Sequence, residues 1–263
     1  VLYYADWLSR RRDRVASFTT GTLPFGITIT LVCALVVLQP DLGSAFVIAA
    51  TAVCLFFIAG ADLGHLFLGL IVGIGALGAL ILSASYRFQR ITAFLDPGKD
   101  PLGIGWNTLQ AEIALGSGGI FGLGLGDSRQ KFYYLPNAQT DAIFAVIGEE
   151  LGLVGTLAII LLFGFIALRG YRVALRAPDT YGALLAAGVT SWLVVQALIN
   201  IAVVTATVPF TGIPLPFVSF GGSSLIVSLM AVGLLLNVSR QALAPEPRTS
   251  TGGRAARIRV ATR

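Results

Sequence analysis

Three acids and three bases in this chain have the types and spacing to do chemistry. Asp141, Glu149 and Glu150 lie in the stretch "KFYYLPNAQTDAIFAVIGEELG", Lys131 to Gly152, where a polar, basic segment runs into an apolar helix. A carboxylate at such an edge can act as a general base toward a hydroxyl. Upstream, Arg87 and Arg90 in "YRFQRITAFLDPGKDP" can hold a phosphate in a planar fork, and Lys131 adds a third cation. Each residue also has a structural reading. Thr140 or Asp141 can cap the following helix, and the arginines can be interface anchors. At 1.5 Å per residue Glu149 and Glu150 lie roughly 12–13 Å beyond Asp141. By helical phase Glu150 points about opposite Asp141 and Glu149 about 80° from it. One of the two can therefore line a cavity with Asp141 while the other pairs inside the bundle.

The elements that position these groups must be membrane helices. The chain has 263 residues, 56% hydrophobic and 12% charged, with a mean hydropathy of +0.83. Such a composition cannot supply the polar shell of a soluble domain. Several apolar runs reach the roughly 20 residues needed to cross a bilayer, and none alternates like a barrel strand. The expected fold is all-α and polytopic. The net charge of +5 and pI near 9.6 come from short basic clusters between apolar spans, a pattern that encodes topology and not nucleic-acid binding. Cys33 and Cys54 fall inside apolar runs and read as small hydrophobes. With His65 the only histidine, neither a His-based metal site nor an internal Ser-His-Asp triad is expected.

Six spans are expected, at about 22–39, 43–60, 63–85, 142–168, 181–206 and 215–238. Arg10, Arg11, Arg12 and Arg14 precede the first, and Arg169, Arg172 and Arg176 separate the fourth from the fifth. Arg240, Arg248, Arg254, Arg257, Arg259 and Arg263 follow the sixth. The positive-inside rule makes these segments cytoplasmic, and parity then places the long loop, about 86–141, outside. Asp141 is thereby expected at the outer face. Residues 1–243 form the membrane region, and 244–263 a basic cytoplasmic tail with nothing to bury, expected to be disordered. The opening "VLYYADWLSRRRDR" shows no signal peptide and no initiator Met, so the chain is expected to begin inside or just after an earlier span.

Within the long loop, "WNTLQAEIAL" sets Trp106, Leu109, Ile113 and Ala114 at near-helical spacing, as for a short helix lying in the interface. "GSGGIFGLGLGD" (Gly116 to Asp127) lacks the GK[ST] ending of a P-loop and follows no strand, so a nucleotide site is rejected. A mobile or re-entrant segment suits it better. "LQPDLGSA" turns between two spans through Pro40 and Gly43, with Asp41 a cap for the next helix. "PFTGIPLPFVSFGGSS" is broken by Pro209, Pro214 and Pro216, and its Gly221, Gly222, Ser223 and Ser224 permit close helix approach or a broken helix. Asn200, inside the fifth span, needs a hydrogen-bond partner in the bundle.

Four of these motifs, "LQPDLGSA", "RITAFLDP", "LPNAQTDAIFAVIGEELG" and "PFTGIPLPFVSFGGSS", occur in an order that resembles the SEDS family of bacterial cell-wall proteins, the group containing FtsW and RodA. The resemblance covers about Leu38 to Ser224 and is nearer the FtsW type. The departures are small: Gln139 stands where many members have His, Ala142 where Phe is common, Phe220 for Tyr and Ser44 for Thr. None removes a carboxylate at the expected site. Members usually have about ten spans, which implies that about three precede this chain.

The resemblance implies a peptidoglycan glycosyltransferase that polymerises lipid II outside the membrane, releasing undecaprenyl pyrophosphate. It implies Asp141 as the catalytic residue. It makes Arg87, Arg90, Lys131, Gln139, Glu149, Glu150, Ser219, Ser223 and Ser224 candidates for substrate binding, and Pro40, Asp41, Gly43, Pro216, Gly221 and Gly222 structural. A divalent cation, Mg or Mn, can assist departure of the pyrophosphate, and no organic cofactor is expected. Implied partners are lipid II, a class B penicillin-binding transpeptidase and other divisome or elongasome membrane proteins. Two alternatives stand beside this reading: a lipid II flippase, and a non-catalytic scaffold for the transpeptidase.

Overall fold

The computed structural model describes residues 1–96, 103 and 105–243. The tail expected from 244, and Pro97 of the second motif, lie outside the described residues. Every regular element described is helical: α1 (Leu2–Ser9), α2 (Leu23–Leu38), α3 (Leu42–Ile58), α4 (Leu63–Leu82), α5 (Ser85–Leu95), α6 (Trp106–Gly118), α7 (Gln130–Tyr133), α8 (Ile143–Arg176), α9 (Thr180–Val204) and α10 (Gly222–Leu243). The six expected spans correspond to α2, α3, α4, α8, α9 and α10. A wide turn over Phe18–Thr22 extends α2 at its start. Five of the six are long and apolar enough to cross a bilayer, and α3 is shorter, with 17 residues. Arg12 donates to Thr180 Oγ1 at 3.4 Å, and the Phe18 and His65 rings lie 5.3 Å apart. The basic segment after α1 therefore shares one end of the bundle with the starts of α4 and α9. Asp141 lies at the other end.

The central element is α9, flanked by α8, α3, α1 and α10. Its buried face carries polar groups at several depths, including Thr190, Ser191, Gln196 and Asn200. Thr190 satisfies itself on the Ala186 carbonyl at 2.7 Å, and Ser191 pairs with Tyr171 of α8 at 3.0 Å. A side chain at Gly170 would run into Thr190, so this glycine lets α8 and α9 approach closely. By contrast α4 buries no residue among those described and is apolar apart from His65 in its first turn.

Three expectations about the elements need correction. The sixth span begins at Gly222, not 215. Pro214 and Pro216 cannot continue a helix, and side chains from α9 bind the carbonyls of this segment instead. The fourth span runs to Arg176 and is broken at Gly152, whose φ of 66° and ψ of −158° are non-helical. The "WNTLQAEIAL" helix forms as α6, but the face it packs on α8 is not the expected stripe: Thr108, Gln110, Ala111, Ala114 and Gly118 are buried, while Ile113 is exposed. Helix α5 was not foreseen, although Ile91, Phe94 and Leu95 recur at helical spacing.

The glycine-rich segment after α6 repairs the break in α8. Leu123 and Gly124 donate to the Glu149 and Glu150 carbonyls at 2.9 and 3.1 Å. Leu153 and Val154 donate to the Gly119 and Ile120 carbonyls at 2.9 and 3.2 Å. Four backbone groups freed by the break thus find partners, which a helix interrupted at membrane depth requires. A Cβ at Gly122 would strike the Glu150 carbonyl, and one at Gly152 would strike Gly122 N. The segment is thus a strap docked on α8.

Candidate functional site

Asp141 lies one residue before the cap of α8. The cap itself is Ala142 and receives no side-chain hydrogen bond, so neither Thr140 nor Asp141 serves as the expected N-cap. The reason is local: Thr140 Oγ1 turns back to the Asn137 carbonyl at 3.1 Å, and the Thr140 and Asp141 amides donate to that same oxygen. The Asp141 carboxyl is thereby left to face a pocket.

That pocket, about 270 Å³, is lined by Arg90, Ala93 and Phe94 of α5, Asn107 and Thr108 of α6, Asn137, Asp141, and Phe210, Thr211 and Gly212. Gly212 has a φ of +69°, and a Cβ there would stand 3.2 Å from Asp141 Oδ2. Glycine at 212 therefore allows the backbone to close over the carboxylate. Burial pushes the Asp141 carboxyl above the ordinary aspartate range, partly offset by the neighbouring Thr140 hydroxyl. A raised carboxyl that shares a concave site with an arginine is the combination expected of a base working on an anionic substrate.

The backbone around Asp141 is held from α9 and from the broken segment. Asn200 Nδ2 donates to the Asp141 carbonyl at 2.8 Å and to the Ile213 carbonyl at 2.7 Å. Gln196, one turn earlier, donates to the Pro214 carbonyl at 2.9 Å. Ser219 Oγ bridges the Thr140 carbonyl and the Leu215 amide, and Phe220 N donates to the Gln139 carbonyl at 2.8 Å. Gly43 joins the same end, since a Cβ there would meet the Thr211 carbonyl at 2.8 Å. Two motifs distant in sequence, at 38–45 and 209–224, are thus packed around the third.

The remaining sequence candidates are distributed as follows. Asp41 caps α3 through Ser44 N at 2.9 Å. Pro40 sits in the turn before α3, and Pro216 is fully buried in the broken segment. Arg87 is not in the pocket: it donates to Tyr86 Oη and to the Leu80 carbonyl at the end of α4. Gln139 is exposed and contributes its backbone carbonyl. Gly221, Gly222, Ser223 and Ser224 mark the entry to α10 and are not among the lining residues.

Glu149 and Glu150 do not join Asp141. Glu149 is fully buried and accepts from Ser128 Oγ at 2.5 Å, from Arg129 N at 3.0 Å and from Gln130 N. Glu150 is ion-paired with Lys131. The expectation that one of them lines a cavity with Asp141 fails because α8 begins only at Ile143 and the strap folds onto their side of it. Both acids hold the loop 123–131 to α8. As pocket residues the sequence reading missed Asn107, Thr108 and Asn137, and it read 210–212 only as part of the proline-broken segment. Gln196 had a local signal, being four residues from Asn200, the two amides of a helix whose other polar side chains are hydroxyls and an indole.

The family model described as a cell cycle protein, FtsW/RodA/SpoVE, matches residues 1–243. The chain belongs to this family. It is 50% identical to stage V sporulation protein E of Bacillus subtilis over 91% of its length, and covers 66% of that protein. It is 42% identical to a protein named as a probable peptidoglycan glycosyltransferase FtsW, from Trichlorobacter lovleyi, covering 91% of this chain and 63% of that one. The chain thus spans just under two thirds of these curated relatives. Among solved structures, a chain of a peptidoglycan synthase complex superposes with a TM-score of 0.73 at 30% identity, covering 92% of this chain and 67% of the other. Thermus thermophilus RodA superposes with a TM-score of 0.61 at 28% identity, covering 93% and 64%. The apolar helices and membership of the FtsW/RodA/SpoVE family together make this a multi-pass membrane protein.

Proposed function

We propose that this FtsW/RodA/SpoVE member polymerises lipid II into glycan strands at the outer face of the bacterial cell membrane, with its C-terminus in the cytoplasm. The observation that carries the reading is the pocket that joins Asp141, its pKa raised by burial, to Arg90. Asp141 takes the proton from the 4-hydroxyl of the acceptor GlcNAc while that oxygen attacks C1 of the donor MurNAc. The new bond is β(1→4), formed with inversion as the α-linked C1–O bond to pyrophosphate breaks. Undecaprenyl pyrophosphate departs with the bonding electrons, and Arg90 offers two parallel N–H donors to its developing charge. Arg90 is exposed and lines the same pocket as Asp141, so its guanidinium is open to a diphosphate entering there.

A resident divalent site does not fit these side chains. Among the described residues Asp141 is the one acid lining the pocket, and no cluster of three His, Cys, Asp or Glu occurs. No step is therefore assigned to Mg or Mn, and the cationic role falls to Arg90. The peptidoglycan synthase complex that this chain resembles supports a class B penicillin-binding transpeptidase, among divisome or elongasome proteins, as partner. Identities of 42–50% to FtsW and the sporulation protein, against 28% to RodA, favour the FtsW type. The test is polymerisation of purified lipid II by the full-length protein with its transpeptidase. Wild type should make glycan and Asp141→Asn almost none. Equal yields from the two would leave Asp141 without a chemical role.

A further inference from the structure

Helix α8 carries its own measure of the bilayer. None of its residues up to Glu150 is exposed. From Leu151 onward apolar side chains are exposed turn after turn, among them Leu153, Leu157, Leu161, Phe165 and Leu168. No charged residue occurs from 151 to 168. The band is closed at one end by the Glu150–Lys131 ion pair and at the other by the exposed Arg169. From Leu151 to Leu168 the helix rises about 27 Å at roughly 1.5 Å per residue, against a hydrocarbon core of roughly 30 Å. Helix α4, with 20 residues, gives a similar length of about 30 Å. The hydrocarbon edge on the Asp141 side therefore falls at the break in α8.

The strap lies at that level. The Gly119 and Ile120 carbonyls accept from Leu153 and Val154, inside the apolar band, while Leu123 and Gly124 donate to Glu149 and Glu150, just outside it. Around these ties Ile120, Phe121, Leu123 and Leu125 are exposed, Phe121 by 83% and Leu125 by 78%. The same ties satisfy backbone groups that would otherwise resist leaving water.

We propose that the strap is a membrane wedge, with Ile120 and Phe121 among the acyl chains, and Leu125 at the headgroup boundary, of the leaflet on the Asp141 side. Lipid is the occupant that the observations favour over a protein partner. The exposed face of the strap continues the exposed apolar band of α8, and its height coincides with the hydrocarbon edge measured along α8. A short apolar segment at the acyl–headgroup boundary is held there by the area it removes from water. Because the strap is bonded to both sides of the break, the wedge also sets the height of the helix start. Asp141 then stands roughly 15 Å beyond the hydrocarbon edge at 1.5 Å per residue, on the aqueous side. The inference holds whatever reaction Asp141 performs.

The experiment uses the full-length protein, alone, in vesicles of equal parts phosphatidylethanolamine and phosphatidylglycerol. In a background freed of cysteines, Cys33 and Cys54 included, a nitroxide is attached to Leu70→Cys in the middle of α4, Phe121→Cys, Leu125→Cys or Asp127→Cys. Collision with oxygen, which concentrates in the acyl chains, is compared with collision with a water-soluble nickel chelate. The oxygen-to-nickel ratio should fall in the order 70, 121, 125, 127, and be at least about tenfold higher at 121 than at 127 if the side chain passes the acyl boundary. A second measurement needs no variant: phosphatidylcholine with a diazirine in its acyl chain is added to vesicles of the wild type and photolysed. Mass spectrometry should find lipid adducts on the segment 118–125 and none on 137–141. Labels at 121 and 125 as open to nickel as the label at 127 would place the strap in water and overturn the proposal. Labels closed to both reagents would overturn it too, by showing that protein, such as a second copy of the chain, covers this face. So would wild-type protein that takes up lipid on α4 and α8 but not on the strap.

Discussion

One side-chain amide, Asn200 Nδ2, donates both to the Asp141 carbonyl at 2.8 Å and to the Ile213 carbonyl at 2.7 Å. It ties the loop bearing the candidate base to the broken segment that closes the pocket, from a position inside the membrane helix α9. Replacing it with Leu keeps the volume and orphans two buried carbonyls. Each unsatisfied group costs about 1–3 kcal/mol. Asn200→Leu should therefore lower Tm in thermal unfolding of the purified protein and reduce polymerisation, even though residue 200 touches no substrate in this reading. An unchanged Tm would mean that the two loops hold their places unaided.

Asp141 should show its environment in pH dependence. Burial raises its folded pKa above the unfolded value. The base works only when ionised, so kcat/KM should rise with pH through a limb above the ordinary aspartate value of about 3.9. For stability the sign is opposite: a raised carboxyl pKa gives stabilisation that is complete below the unfolded pKa and is lost as pH rises through the folded one. Asp141→Asn should thus be at least as stable as wild type at neutral pH, while losing about 10²–10⁴ in rate. Parallel pH–rate and pH–Tm profiles of the two proteins check both statements.

Glu149 should behave in the opposite way. Its carboxylate accepts from one hydroxyl and two amides in a fully buried position. Glu149→Gln puts an amide N–H where a donor already points. A hydrogen bond to a charged group contributes about 1.5–3 kcal/mol, so Tm should fall clearly. The activity lost should follow the folded fraction, with kcat per folded molecule little changed. Active-site titration alongside Tm separates this from a chemical role.

At Gly152 the backbone is open only to glycine, and a Cβ would collide with the strap at Gly122 N. Strain of this kind costs about 1–3 kcal/mol before the four strap hydrogen bonds are considered. Gly152→Ala should destabilise strongly. Gly73→Ala, on α4 with nothing within 4 Å, should be neutral or gain up to about 1 kcal/mol. Differential scanning of the two variants gives the contrast.

Arg90 and Arg87 should separate although they are three residues apart. Arg90 lines the pocket, whereas Arg87 is bound to Tyr86 and Leu80. Arg90→Lys keeps the charge and loses the fork, so it should retain part of kcat/KM where Arg90→Ala loses most. Arg87→Ala should change the stability of the α4–α5 corner more than turnover. Equal, negligible effects at both positions would return the two arginines to interface anchors.

The fold class and the six apolar helices follow from composition and run length, because burial in lipid is a property of each segment separately. Asp141, the proline-broken segment and the need of Asn200 for a partner are legible for the same reason: each is a polar or helix-breaking exception in an apolar background. What the tertiary structure decided is which exceptions meet. Helical phase counted from Asp141 misplaced Glu149 and Glu150, since α8 starts two residues later and breaks at Gly152. Only the folded strap shows that these acids bind Ser128, the Arg129 and Gln130 amides, and Lys131. Likewise Arg90 joins Asp141 while Arg87 does not, although both have the same side chain and sit in one short motif. That choice depends on how α5 is set against α6 and the 210–212 turn, a contact between segments far apart in the chain, which no local pattern of residues encodes.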